Sequence, residues 1–133
     1  THPSVSGSSV TAVGGWRTTS TRASPVGLVL VPLRHVRALD ELTAEEALAL
    51  GDLLRKATAA LRPVTGCEKT YVMLFAEAEG FAHLHVHVVP RMSDRPAIRR
   101  GPDVCGYLRD GLALSPERRD EIARDLLAAW PSN

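Results

Sequence analysis

Apolar residues change their spacing several times along the chain, and each change marks a candidate element. Val26–Leu33 is a run rich in Val and Leu, bracketed by prolines and short enough for a strand buried on both faces. The spacing then becomes helical. Ala47, Leu50, Leu54, Ala57 and Leu61 fall on one face. They follow Thr43-Ala44-Glu45-Glu46, a capping box in which the Thr43 hydroxyl accepts from the N3 backbone N–H and Glu46 reaches back. Arg62-Pro63 is expected to end this helix near Leu61. Glu68–Glu77, with Tyr71 to Phe75 at its centre, reads as a strand. Ala78-Glu79-Gly80 reads as a turn, and Ala82–Val89 as a second strand ended by Pro90. Two such strands around a short Gly-containing turn predict an antiparallel hairpin. Residues 91–102 read as loop and Asp103–Arg109 as one or two helical turns. Ser115-Pro116-Glu117 supplies a Ser cap, Pro at N1 and an acid in the first turn, so a last helix should run to about Trp130.

The first 24 residues differ in kind. Ser, Thr, Gly and Val dominate without periodicity. Residues 1–13 are expected to be a flexible N-terminal arm, with a short edge strand over Ser9–Val13 as the open alternative. Trp16 to Thr21 begins the fold, which makes residues 14–133 a single domain. A strand, a helix, a hairpin and C-terminal helices do not repeat as βαβ units. The expected class is α+β, an antiparallel sheet with helices on one side.

Composition narrows the function classes. At 133 residues one domain is expected, and its core is large enough to need no staples. The content of 44% hydrophobic and 23% charged residues is that of a globular chain and excludes a disordered or collagen-like one. A net charge of +1 gives no electrostatic reason to expect nucleic acid or an anionic membrane as partner. No apolar run is long enough to span a bilayer, and no basic start precedes an apolar stretch, so the default setting is cytoplasmic. Cys67 and Cys105 are too few for a disulfide scaffold and read as small buried hydrophobes.

The chemistry concentrates in His83-Leu84-His85-Val86-His87-Val88-Val89-Pro90-Arg91, which holds three of the five histidines. On a strand His83, His85 and His87 share one face, while Leu84, Val86 and Val88 turn to the other. Neighbours on that face are ~6.5–7 Å apart, so one phosphate can touch two rings at most and the third must orient them. Three readings follow. The rings are polar positions on a solvated face, or two of them hold a metal with a third ligand such as His35, or they serve nucleophilic catalysis by imidazole. Neutral imidazole is abundant at pH 7 and nucleophilic without further activation. Arg91, Arg95, Arg99 and Arg100 follow closely and read as a solvated loop, the alternative being that one or two of them reach the outer phosphates of a substrate.

His-φ-His-φ-His-φ-φ, with φ apolar, resembles the motif of the histidine triad (HIT) proteins. Gly27–Val36, ending in Pro32-Leu33-Arg34-His35, resembles the family's upstream strand, and the resemblance covers about residues 25–92. It implies a sheet of about five strands, one main helix on it and C-terminal helices. It implies a nucleotide substrate, hydrolysis or nucleotidyl transfer at the α-phosphate, and a homodimer, with no cofactor and no metal. The substrate would be a dinucleoside polyphosphate or a nucleoside phosphoramidate. By position His85 would be the nucleophile that forms a nucleotidyl-histidine. His87 would stand by the phosphate and leaving group, and His83 would hold the network. His35 and Arg91 would contact phosphate or substrate.

The chain departs from the family pattern at Ala76–Ala82, which lacks the Gln and Asn that many members carry there and holds Glu77 and Glu79 instead. Trp16–Arg22, at the position of the strand lining the family's nucleoside pocket, matches it poorly. The alternative reading is therefore a non-catalytic protein of the same fold that binds a nucleotide or a metal. A homodimer has independent support, because a small sheet leaves open edges and the helix after Thr43 carries many small residues. C-terminal residues of one chain are expected near the other chain's site.

Overall fold

A computed structural model describes residues 9–20, 27–75, 83–94, 97, 100, 101 and 115–133. Among these residues are five strands: β1 (Ser9–Val13), β2 (Trp16–Ser20), β3 (Leu28–Pro32), β4 (Lys69–Met73) and β5 (Val86–Arg91). They form one antiparallel sheet in the order β1-β2-β3-β5-β4. A 3-10 turn (Leu39–Glu41) leads into α1 (Ala44–Thr65), and α2 (Pro116–Ala129) follows β5. This is the expected α+β class.

The helices cover one face of the sheet. Trp16, Leu28, Leu30, Val86 and Val88 turn to that face and pack with Leu53, Ala57, Ala60 and Leu61 of α1 and Ile122, Ala123 and Leu126 of α2. Burying each large aliphatic side chain contributes ~1.5–3 kcal/mol. Leu84, between two histidines, joins the same cluster. The opposite face, carrying the other half of each strand's residues, is left for the site.

Both helix starts follow their sequence signals. Thr43 Oγ1 accepts from the Glu46 N–H at 3.1 Å, and Glu46 Oε1 accepts from the Thr43 N–H at 2.8 Å. Arg34 donates to the same carboxylate at 2.8 Å. Arg34 and then the Thr43 N–H hold the Glu46 carboxyl down at about 2. Ser115 Oγ accepts from the Arg118 N–H at 3.2 Å and starts α2, which ends one residue before Trp130.

Four expectations need correction. Of the two readings of residues 1–13, Ser9–Val13 takes the edge strand rather than the arm, because it finds a ladder partner in β2. The two strands join through Gly14 (φ 63°) and Gly15 (φ 82°), the paired positive φ that a tight hairpin turn demands. Helix α1 runs past Pro63 to Thr65. A proline in the last turn forfeits one backbone bond, and the end is closed by the Thr65 hydroxyl on the Leu61 carbonyl at 2.7 Å. The Gly66 N–H also bonds to the Arg62 carbonyl at 2.8 Å. Ala47 is exposed, since the buried stripe of α1 runs through Leu53, Ala57, Ala60 and Leu61. Pro90 lies within β5 rather than ending it. The ladder to β3 stops at Val88, so its missing N–H breaks no bond to β3.

The turn over Ala78-Glu79-Gly80 and the helical turns over Asp103–Arg109 lie outside the described residues, as does Cys105. Cys67 is free and buried. Among the described residues no helix is long and apolar enough to cross a membrane.

Candidate active site

The histidines gather where β5 begins. His87 lies within the strand, whereas His83 and His85 precede it. The expected strand over Ala82–Val89 therefore starts late, because Leu30 with Val86 is the last pair of the ladder to β3. Beyond it the Leu84 N–H bonds instead to the Val36 carbonyl at 2.8 Å. The alternation survives this change. Leu84, Val86 and Val88 enter the core, while His85 and His87 stay half-buried on the other face.

Each ring has a definite environment. His83 is buried, and its Nε2 lies 3.2 Å from the Pro32 carbonyl. A carbonyl only accepts, so that nitrogen carries the proton. The His83 ring stacks on His35, with centroids 4.8 Å apart and an interplanar angle of 10°. His85 Nδ1 lies 2.9 Å from the carbonyl of His83. By the same reasoning Nδ1 is the protonated nitrogen of His85, and Nε2 of the neutral ring keeps its lone pair. His87 meets His85 edge to face, with centroids 5.0 Å apart at 80°. Its Nδ1 is buried without a hydrogen-bond partner. Burial, and secondarily the charge of His85, pulls the His87 pKa below its usual value near 6.5.

That shift has a consequence for stability. The unfolded chain binds a proton at His87 below about pH 6.5, while the folded chain resists binding it until lower pH. The contribution is complete above the unfolded pKa and is lost as pH falls through the folded one. Urea unfolding between pH 8 and pH 5 should therefore show stability falling on acidification below pH 6.5. His87→Asn should flatten that slope, and an unchanged slope would show that His87 is not the group responsible.

The structure brings His83, His85, His87 and His35 together, but it sets Arg91 apart. Arg91 lies four residues beyond His87, ~13 Å along the strand. Its guanidinium donates to Glu68 Oε1 at 3.0 Å. Beside it the Tyr71 hydroxyl accepts from the Gly101 N–H at 3.0 Å. Arg91 thus belongs to a network at the far end of β5, away from the four histidines. Arg100 donates to the Ser93 carbonyl at 3.3 Å, and Arg95 and Arg99 lie outside the described residues. His35 meets the site through the face of His83.

Sequence reasoning does not single out the remaining residues of this face. Val29 pairs with both His87 and Thr19, and Arg17 pairs with Val31. Aligned residues of neighbouring strands share a face, so Arg17, Thr19, Val29 and Val31 lie on the histidine side of the sheet. Alternation within β2 was the available signal, but only the register says which half faces the histidines. Among the described residues no group of three or more His, Cys, Asp or Glu is placed to hold a metal ion.

No protein-family model matches the chain, and no curated protein matches it. Solved structures do. A histidine triad protein from Sinorhizobium meliloti superposes with a TM-score of 0.75 at 26% identity, over 92% of this chain and 89% of that one. A Hit-like protein involved in cell-cycle regulation from Bartonella henselae gives 0.71 at 20% identity, over 92% and 86%. A diadenosine triphosphate hydrolase from Plasmodium falciparum gives 0.67 at 13% identity, over 90% and 74%. The chain has the histidine triad fold, and the likeness over most of its length supports the histidine triad family.

Proposed function

We propose that the protein is a nucleotidyl hydrolase or transferase acting at the α-phosphate of a dinucleoside polyphosphate or a nucleoside phosphoramidate. One observation carries this reading. The His85 Nδ1–H is engaged by the His83 carbonyl at 2.9 Å, which leaves the Nε2 lone pair as the nucleophile. In the first step Nε2 forms a bond to the α-phosphorus. The bond from phosphorus to the leaving group breaks, and its electron pair departs with that group. A polyphosphate leaves as its anion. An amine takes a proton, supplied by His87, whose lowered pKa makes the protonated ring a stronger acid. In the second step water attacks phosphorus, the pair of the N–P bond returns to Nε2, and the proton lost by water restores His87 where an amine has left and passes to solvent where a polyphosphate has left. His83, held between Pro32 and the ring of His35, fixes the carbonyl that orients His85. Solved structures of this fold include a hydrolase and a uridylyltransferase, which supports the class of chemistry.

Incubation with nucleoside phosphoramidates and dinucleoside polyphosphates should release nucleoside monophosphate. Rapid quenching should find one nucleotidyl group on the peptide holding His85. Release of monophosphate from none of the panel would overturn the reading in favour of a binding protein without turnover.

We further propose a homodimer. Among the described residues strand β4 is an open edge of the sheet, and Val72 on it and Phe75 just beyond it are 49% and 70% exposed. Leu48 on α1 is 77% exposed, among Ala44, Ala47 and Gly51, which are exposed too. Open edges and exposed apolar groups of this kind call for cover. Sedimentation at micromolar concentration should give the dimer of a 14.3 kDa chain, and a monomer would refute it.

A further inference from the structure

A phosphate poised between His85 and His87 is anionic and repels a nucleophile unless fixed positive charge offsets it. Arg91 is taken by Glu68 and Arg34 by Glu46. Arg17 is different. It is exposed, and among the described residues no ion pair or hydrogen bond joins its side chain to another residue. The register Arg17 with Val31, and Leu30 with Val86, places Arg17 beside Val31 and, continued by one residue, Val31 beside His85. Arg17 therefore stands two strand spacings, ~9.6 Å, from His85 on the same face of the sheet. In this register Val31 is the residue between them.

A second observation on this face asks for a polar ligand. Thr19 is 5% exposed, and its Oγ1 is buried with no hydrogen-bond partner. His87 Nδ1 is buried and unpartnered in the same row, across Val29. Buried polar atoms are ordinarily satisfied, and two orphans in one register row bracket a place where a ligand would satisfy both.

We infer that Arg17 is the guanidinium that binds a phosphate of the substrate at this site. The inference rests on the nucleotide reading above and assigns the charge that reading requires. The long side chain of Arg17 reaches over Val31 toward the phosphate held by His85 and His87. A planar guanidinium offers two parallel N–H donors to phosphate oxygens.

Calorimetric titration of the full chain with adenosine 5′-monophosphate and with adenosine separates the possibilities. In Arg17→Gln, affinity for the monophosphate should fall about tenfold or more, while adenosine binding stays within about twofold. Arg17→Lys should recover part of the loss, since it restores charge without the two-pronged geometry. Equal loss for both ligands would assign Arg17 to the nucleoside instead and overturn the proposal, as would unchanged binding of both. Failure of the wild type to bind the monophosphate at all would remove the nucleotide reading itself.

Discussion

His85→Ala is expected to lower turnover by about 10⁴-fold or more, the scale on which removal of a covalent nucleophile acts. The same variant should fold normally. The side chain is half-buried on the face away from the helices, so its loss opens no cavity in the core. It gives up one hydrogen bond, to the His83 carbonyl, worth about 1 kcal/mol. The measurement is monophosphate release from the best substrate, with urea unfolding of the same preparation as control. Hydrolysis near the wild-type rate would show that His85 is not the nucleophile. His85→Asn keeps a donor for the His83 carbonyl but no nucleophilic nitrogen, so it should bind substrate without turning it over.

Gly14→Ala should destabilise the fold by ~2–5 kcal/mol, a sum of two separable costs. Gly14 has φ 63°, which charges any L side chain ~1–2 kcal/mol. A Cβ there would also stand 2.6 Å from Ala49 Cβ on α1, well inside contact distance. Overpacking of that kind adds ~1–3 kcal/mol, because Ala49 has no flexible side chain to swing aside. Gly15→Ala provides the control. Its φ is 82°, but the nearest atom to a new Cβ is Glu46 Cγ at 3.7 Å, so only the backbone cost applies. Urea midpoints for the two variants should differ by the clash alone, and equal costs would contradict this account. Adding Ala49→Gly to Gly14→Ala should relieve the clash and leave the φ cost. The contact matters beyond stability. It seats the hairpin on α1, where the Trp16 indole N–H also donates to the Glu46 carbonyl at 2.9 Å. That hairpin carries Arg17 to the histidine face.

Where the deciding interactions are local, the sequence suffices. The Thr43–Glu46 capping box spans four residues, and Ser115-Pro116 caps α2 from within its own first turn. The alternation of His83, His85 and His87 with Leu84, Val86 and Val88 already separates a chemical face from a core face, since a period of two admits no other division. The resemblance to the histidine triad proteins is carried by that same stretch. Local reading falls short where a partner comes from far along the chain. Pro63 looks like a helix stop, yet the turn continues because Leu61, two residues before it, is held in the core. Arg91 follows the histidines closely in sequence, yet its guanidinium meets Glu68, twenty-three residues away, at the far end of the strand. Ser9–Val13 looks like an arm because a strand's stabilisation lies in its neighbour, and only the pairing with β2 reveals it. Arg17 has no motif around it. Its place beside the histidines follows from two ladders, β2 on β3 and β3 on β5, and register across a sheet is settled by packing of the whole core rather than by any short stretch of residues.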